Sequence, residues 1–223
     1  MIDRNLLRLK LRSVLPRPIT GPTVPPFVIC RVDPREIRTY LEYAVLRKYR
    51  SAGRIEPGEW DLQAKPLSES PKYRLLRGYY DGRLEGEDLT AERLREAGYP
   101  DREARSYAAY GYGTYLEELF ASIRERGIEL ESDGPQAERT DDRYDQVAVN
   151  VGRDGELIFN SCGFHRLVAS QLVGLEEIPV RINAIHDRWW RAHRDAANPF
   201  DEHPKLTYTG RIPIRWRNVL TIV

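Results

Sequence analysis

The stretch from Glu156 to Asn183 constrains the fold more than any other part of the chain. A short apolar run, residues 157–159, stops at residues 160–163, and apolar residues then recur at helical spacing until a second apolar run begins. Gly174 follows the helical pattern, where a helix end favours a left-handed residue, and Pro179 comes too late to interrupt the helix. The pattern predicts a strand, a tight turn, a helix, a short loop and a second strand.

The turn between the first strand and the helix carries residues suited to an anion. The first amides of a helix lack partners within the helix and carry partial positive charge. Ser161 and Gly163 lie in the turn, His165 and Arg166 follow at the helix start, and Asn160 ends the strand. Arg presents a fork of donors and His a donor that depends on pH, so these five residues form a candidate phosphate-binding set. The alternative interpretation is that His165 and Arg166 are ordinary surface residues of a first helical turn.

Two stretches, in order, resemble the ParB/sulfiredoxin superfamily. The sequence ELIFNSCGFHRLVASQLVGLEEIPVRI is similar to the family's core box, in which a strand leads into G-x-x-R or G-x-H-R, a helix with small residues, Gly-Leu and a final IPV strand. Upstream, TYLEELFASIRERGI is similar to the family's helix that ends in SI-x-x-x-G-(I/L), and QVAVNVGRDGELIF resembles the hairpin that follows it. The resemblance covers Thr114 to Asn183, about a third of the chain.

The resemblance implies an α+β fold with a ParB/sulfiredoxin-like mixed sheet and flanking helices. The domain would span residues 27–185, with residues 68–113 as a helical insertion relative to a minimal core. Residues 1–26 would form a Pro-rich N-terminal arm, and residues 186–223 a C-terminal extension packed on the core.

The resemblance also implies nucleotide handling. ParB-type proteins bind and hydrolyse CTP, sulfiredoxin uses ATP to repair a sulfinic cysteine, and an archaeal free serine kinase uses ADP, all with phosphates against this turn. A nucleotide (ATP, ADP or CTP) with Mg²⁺ is therefore the expected cofactor. In sulfiredoxin the reactive cysteine immediately precedes the His-Arg pair, whereas here Phe164 holds that position and Cys162 lies two residues earlier. The sulfiredoxin reaction is therefore not expected.

A clamp role like that of chromosome-partitioning ParB proteins is not expected either. Too few residues follow Asn183 for the helix-turn-helix domain of those proteins, and the formal net charge is only +1. The interpretation that remains is an Mg²⁺-dependent phosphotransferase that acts on an unidentified small-molecule acceptor. The alternatives are a non-catalytic nucleotide-gated or nucleic-acid-associated module, and a structural or assembly component on the same scaffold.

A loop upstream supplies candidate catalytic carboxylates. Pro57 and Gly58 predict a turn, which places Glu59 and Asp61 on either side of Trp60. One carboxylate would contact a metal-phosphate group and the other would accept a proton, so that Glu59, Asp61 and His165 form the candidate catalytic set. The alternative is that the two carboxylates cap a helix and fix the loop.

Elsewhere the chain alternates between predicted elements and loops. Periodicity and turn residues predict a strand over 27–32, helices over 35–50, 70–80 and 90–98, and a hairpin turn at 152–155. The segment 105–120 carries four tyrosines among Gly and Ala, which fits either stacking on a ligand ring or the half-buried face of a packed helix. Residues 129–144 are polar without a period, which predicts a solvated loop.

Composition narrows the function classes. Near-neutral charge does not favour nucleic acid as the main partner, although only five of the 35 basic residues are lysine (Lys10, Lys48, Lys65, Lys72 and Lys205). His186 and His193 are spaced to share a helix face, but no nearby Cys or carboxylate completes a metal set. Two cysteines predict reduced thiols. The absence of an 18-residue apolar run or a secretory signal predicts a cytoplasmic protein with no membrane contact.

Overall fold

A computed structural model describes residues 28–42, 44–45, 53–128, 146–160, 162–196 and 199–208. Within these ranges eight strands form one mixed sheet in the order β4-β2-β6-β5-β7-β1-β8, and β3 pairs with β7. The strands are β1 (Ile29–Val32), β2 (Thr39–Leu41), β3 (Arg54–Glu56), β4 (Lys65–Pro66), β5 (Val147–Val151), β6 (Leu157–Asn160), β7 (Ile178–His186) and β8 (Thr207–Tyr208). The mixed sheet with flanking helices confirms the α+β class.

The hairpin of β5 and β6 forms the centre of the sheet. β6 runs antiparallel to β5 and parallel to β2, while β7 runs parallel to β5 and antiparallel to β1. Every residue of β5, β6 and β7 is buried. Because both faces of these strands are covered, their sequences are nearly continuous apolar runs. This is the pattern from which strands were predicted in the stretch from Glu156 to Asn183.

Six α-helices lie in the described ranges: α1 (Pro71–Tyr80), α2 (Ala91–Glu96), α3 (Asp101–Tyr110), α4 (Tyr112–Arg126), α5 (Phe164–Val173) and α6 (Asp187–His193). α5 joins the sheet to the other helices. Its Leu167 belongs to the apolar cluster built on the sheet, and its Val168 and Ala169 belong to a second cluster with α1 to α4. The helices over 68–113 therefore share a core with α5.

Most predicted elements are confirmed. The strand near residue 30, the helices that begin at Pro71 and Ala91, the hairpin turn, and the strand-turn-helix-strand core all lie close to their predicted positions. Thr90 caps α2 by accepting a hydrogen bond from the Arg93 amide, and Gly174 ends α5 with a positive φ of 83°. The predicted polar loop, the N-terminal arm and the last fifteen residues lie outside the described ranges.

The predicted helix over 35–50 is wrong in its first half. Residues 34–36 form a single 3-10 turn, and Thr39–Leu41 form β2. Tyr40 pairs with Phe159 of β6 on one side and with Lys65 of β4 on the other. Apolar residues at Ile37, Tyr40 and Leu41 fit a helical period, but hydrogen bonding to distant strands decides the local conformation. Residues 43 and 46–52 lie outside the described ranges.

Nowhere in the described ranges does a helix combine the length and apolar composition needed to cross a membrane.

Candidate functional site

The turn between β6 and α5 is built around Gly163. Its backbone is left-handed, with φ of 77°, and a Cβ atom there would lie 2.9 Å from the Val147 Cα. The Ala148 amide donates a hydrogen bond to the Cys162 carbonyl at 3.0 Å, which holds the turn against the start of β5. Only glycine combines this conformation with so close an approach, so the position of the α5 amino end depends on this residue.

The amino end of α5 has the features expected of an anion site. Gly163 is the N-cap residue and supplies no side-chain cap, and the Leu167 amide makes the first helical bond by donating to the Gly163 carbonyl. The amides of residues 164–166 therefore have no acceptor within the helix. Arg166, in the first turn, is partly exposed. Its charge acts on Tyr115 and opposes the effect of burial, which raises the pKa of that phenol.

The His165 side chain is hydrogen-bonded to two tyrosine hydroxyls. Its Nε2 atom lies 2.6 Å from the Tyr112 hydroxyl and 2.9 Å from the Tyr99 hydroxyl, and these two hydroxyls lie 2.6 Å apart. Burial, reinforced by the charge of Lys72, lowers the pKa of His165 to about 4. The imidazole is therefore neutral at physiological pH and its Nε2 is occupied. The two hydroxyl partners of His165 are contacts that the sequence did not predict.

Four tyrosine rings surround the His165 ring, with centroids 5.6 to 6.1 Å from it. We call this set the tyrosine cluster: Tyr99, Tyr107, Tyr112 and Tyr115. Three of its members come from the Tyr-rich segment, whereas Tyr110, the fourth tyrosine of that segment, is 87% exposed. The structure therefore supports the packed-face interpretation for three of the four.

Lys72 is a member of this site that sequence reasoning missed. Its Nζ atom lies 4.1 Å from the centre of the Tyr99 ring. Burial lowers the pKa of this ammonium, and the negative charge of Glu103 partly opposes the effect. The sequence offered one indication of this residue, because lysine is rare in this arginine-rich chain. Of the two residue types, only lysine can lose its charge on burial.

Asp61, one of the two loop carboxylates, is held by Arg153. Arg153 donates to both oxygens of Asp61, from Nε at 2.7 Å and Nη2 at 2.8 Å, and its amide donates at 3.0 Å. Burial alone would raise the pKa of Asp61, but the hydrogen bonds from Arg153 outweigh it and lower the pKa to about 2. Glu59 is exposed. A carboxylate so stabilised is a poor proton acceptor, which supports the alternative that Asp61 fixes the loop.

The structure does not bring the candidate catalytic residues together. Asp61 contacts Arg153 in the turn of the β5–β6 hairpin, whereas Gly163 packs on Val147 at the opposite end of that hairpin. The five-residue strand β5 separates the two ends, which corresponds to about 15 Å. Glu59 and Asp61 therefore cannot act with His165 on one bond.

The remaining candidates lie in three different environments. Asn160 is fully buried at the last position of β6, and Ser161 lies outside the described residues. His186 sits at the start of α6, where its Nδ1 accepts from the Arg188 amide and its Nε2 lies 2.8 Å from the Gly58 carbonyl. His193 Nδ1 lies 2.8 Å from the Trp189 carbonyl. Each of the two histidines thus forms a hydrogen bond with a backbone carbonyl group.

Comparison of the chain with family models, with curated proteins and with solved structures found no match.

Proposed function

We propose that this chain is a nucleotide-binding protein of the ParB/sulfiredoxin type, which holds nucleotide phosphates at the β6–α5 turn and transfers a phosphoryl group to a small molecule. The observation that carries the proposal is the uncapped amino end of α5, placed by Gly163 and followed within one turn by Arg166. Sequence resemblance to that superfamily over Thr114 to Asn183 supports it.

The turn suits phosphate in both charge and geometry. Helix amides without partners point toward the end of the helix and carry partial positive charge, which phosphate oxygens accept. The Arg166 guanidinium adds a fork of charged donors that matches a phosphoryl group. In this proposal His165 does not touch phosphate. Its hydrogen bonds to Tyr99 and Tyr112 hold the first turn of α5 in position.

Among the described residues no three His, Cys, Asp or Glu side chains lie close enough together to hold a metal ion. Mg²⁺ in this proposal therefore accompanies the nucleotide as a counter-ion of its phosphates. The protein's own contribution is to bind and orient the phosphates.

A second candidate function is a nucleotide-binding module without catalysis. Asp61, one of the two predicted catalytic carboxylates, is ion-paired with Arg153 at the far end of the β5–β6 hairpin. Phosphoryl transfer to a hydroxyl requires a group that accepts its proton, and this carboxylate cannot reach the α5 turn. Binding that switches the protein's state requires no such group.

A thermal-shift titration with ATP, ADP and CTP, each with and without Mg²⁺, tests the shared part of both proposals. Binding to the folded state raises the melting temperature, by an amount that grows with the logarithm of ligand concentration relative to the Kd. We expect at least one nucleotide to stabilise the wild type and Arg166→Ala to abolish the shift. Arg191→Ala, at an exposed position of α6, should leave it unchanged. No shift with any nucleotide would refute nucleotide binding.

Product analysis then separates the two candidates. The nucleotide that binds is incubated with the protein and with hydroxyl-bearing acceptors such as free amino acids, and the products are followed by phosphorus NMR. Formation of a phosphorylated acceptor that requires Arg166 supports the phosphotransferase. Binding without phosphoryl transfer or hydrolysis supports the non-catalytic module.

A further inference from the structure

Lys72 holds an ammonium group in an aromatic environment without a carboxylate partner. The Nζ atom lies over the face of Tyr99 at 4.1 Å and makes no ion pair with any residue the structure describes. Lys65 and Lys205, by contrast, each place Nζ 2.6 Å from a glutamate oxygen. Lys72 is thus the one described lysine that is partly desolvated and lacks a direct counter-charge.

The groups that face Lys72 do not supply the missing negative charge. Glu103 of α3 acts on it only at longer range, and His165 of α5 is neutral. Burial raises the pKa of each tyrosine in the tyrosine cluster, so these phenols are also uncharged at neutral pH. Arg166 of α5 adds a second positive charge to the same cluster through its effect on Tyr115. Among the described residues, positive charge in the cluster is therefore opposed by Glu103 only at longer range and not by a carboxylate in direct contact with Lys72.

Such an arrangement is unfavourable unless a ligand compensates it. A partly buried charge without a partner loses hydration and gains little in return, and groups in this condition concentrate at functional sites. The cation-π contact with Tyr99 offsets only part of the loss. An anionic ligand beside Nζ would supply the missing partner.

We propose that Lys72 is an anion-binding residue that contacts the phosphate chain of the nucleotide together with Arg166, and that it takes up a proton when the nucleotide binds. The inference rests on the proposed nucleotide-binding function and adds a residue and a proton to it. In the free protein, burial favours the uncharged amine, whereas a nearby phosphate favours the ammonium. Binding therefore raises the pKa of the Lys72 amine relative to the free protein, and the proton that this linkage takes up is drawn from the buffer.

Titration calorimetry of the full chain with ATP at pH 8.5, in two buffers of different ionisation enthalpy, measures this proton. For the wild type we expect a buffer-dependent binding enthalpy that corresponds to uptake of a fraction of a proton. Lys72→Met should weaken ATP binding about ten-fold and remove the buffer dependence. Lys72→Arg keeps a permanent charge, so it should retain affinity and lose the proton uptake. Lys65→Met is the matched control and should behave as the wild type.

The outcomes separate the inference from the function on which it rests. If Lys72→Met binds ATP as tightly as the wild type, or still takes up the proton, the inference is wrong while nucleotide binding stands. If none of ATP, ADP, CTP and pyrophosphate binds the wild type, both proposals fall. Circular dichroism and thermal melting confirm that each variant is folded. If Lys72→Met is not folded, the Lys72→Arg result still decides the inference.

Discussion

Gly163 shows how one residue fixes the geometry of the candidate site. Gly163→Ala would place a methyl group 2.9 Å from the Val147 Cα in a left-handed backbone. We expect a loss of about 2–4 kcal/mol in the free energy of unfolding, since the left-handed conformation alone costs about 1–2 kcal/mol for an L-residue and the backbone contact adds to it. Urea unfolding measures the loss.

Gly174→Ala is the matched control for this change. Gly174 has nearly the same conformation at the other end of α5, with φ of 83°, but nothing lies within 4 Å of its would-be Cβ. This variant should lose only the conformational part, about 1–2 kcal/mol. Equal losses in the two variants would show that the contact with Val147 does not constrain the turn.

His165 predicts a pH dependence of stability. The folded state keeps its pKa near 4, whereas the unfolded imidazole binds a proton near pH 6.5. Protonation therefore favours the unfolded state, and stability is lost as pH falls from about 6.5 toward 4. By pH 5 the loss amounts to about 2 kcal/mol. His165→Gln should lower stability at pH 7.5 but reduce the further loss between pH 7.5 and pH 5.

Urea titrations at pH 7.5 and pH 5 measure the free energy of unfolding of both proteins, and so the difference in their pH dependence. The titration of His203, whose pKa burial also lowers, is common to both proteins and cancels in the comparison. An equal pH dependence in the wild type and in His165→Gln would contradict the buried, neutral state of the His165 ring.

At the scale of elements, local sequence predicted those parts of the fold whose conformation is decided locally. α1 has a proline at its first position, α2 has Thr90 as its cap, and α5 ends at Gly174, so each boundary has its own residue signal. β2 has none, because its three residues become a strand only by pairing with β6 and β4. β4 and β6 lie at different distances from β2 along the chain, and a local sequence pattern does not predict pairing with such distant residues.

The packing of α4 against the loop before α2 leads to a prediction about contacts between elements. The Gly113 Cα approaches Gly86 so closely that a Cβ at residue 113 would lie 2.7 Å from the Gly86 Cα. Alanine improves helix propensity by at most about 1 kcal/mol, and the clash should outweigh this gain. We expect Gly113→Ala to destabilise the protein by about 1–3 kcal/mol in urea unfolding.

Gly78→Ala serves as the comparison, because Gly78 is also helical and its would-be Cβ meets the Leu84 Cδ1 at 3.1 Å. That atom ends a flexible side chain and can move, so the change should stay within about 1 kcal/mol of the wild type. A stabilised Gly113→Ala variant would show that α4 and the residue 86 loop are not in close contact.

For the whole molecule, the candidate site could be predicted only in part. The turn between β6 and α5 lies within a few consecutive residues, so the sequence predicted its position directly. The partners of His165, Tyr99 and Tyr112, lie 66 and 53 residues away along the chain. Asp61 is likewise separated from His165 by the length of the β5–β6 hairpin, and no sequence pattern records which end of a strand a loop will reach.

The cores of the helices and the sheet meet at α5, which predicts one cooperative unfolding unit. The three described tryptophans, Trp60, Trp189 and Trp190, pack on the sheet, whereas α1 to α4 form the second cluster. Tryptophan fluorescence therefore reports on the sheet, and far-UV circular dichroism reports largely on the helices. We expect the two signals to follow the same urea transition.

Leu116→Ala sharpens this test. Leu116 is fully buried in the helical cluster, so its truncation should cost about 2–5 kcal/mol. None of the described tryptophans belongs to that cluster. If α5 couples the two cores, the midpoints of both signals shift together by the same amount. The contrary result is a circular dichroism transition that moves to lower urea while the fluorescence transition stays in place. It would mean that residues 68–113 fold as a separate unit. Lys72 would then belong to an element that unfolds independently of Arg166.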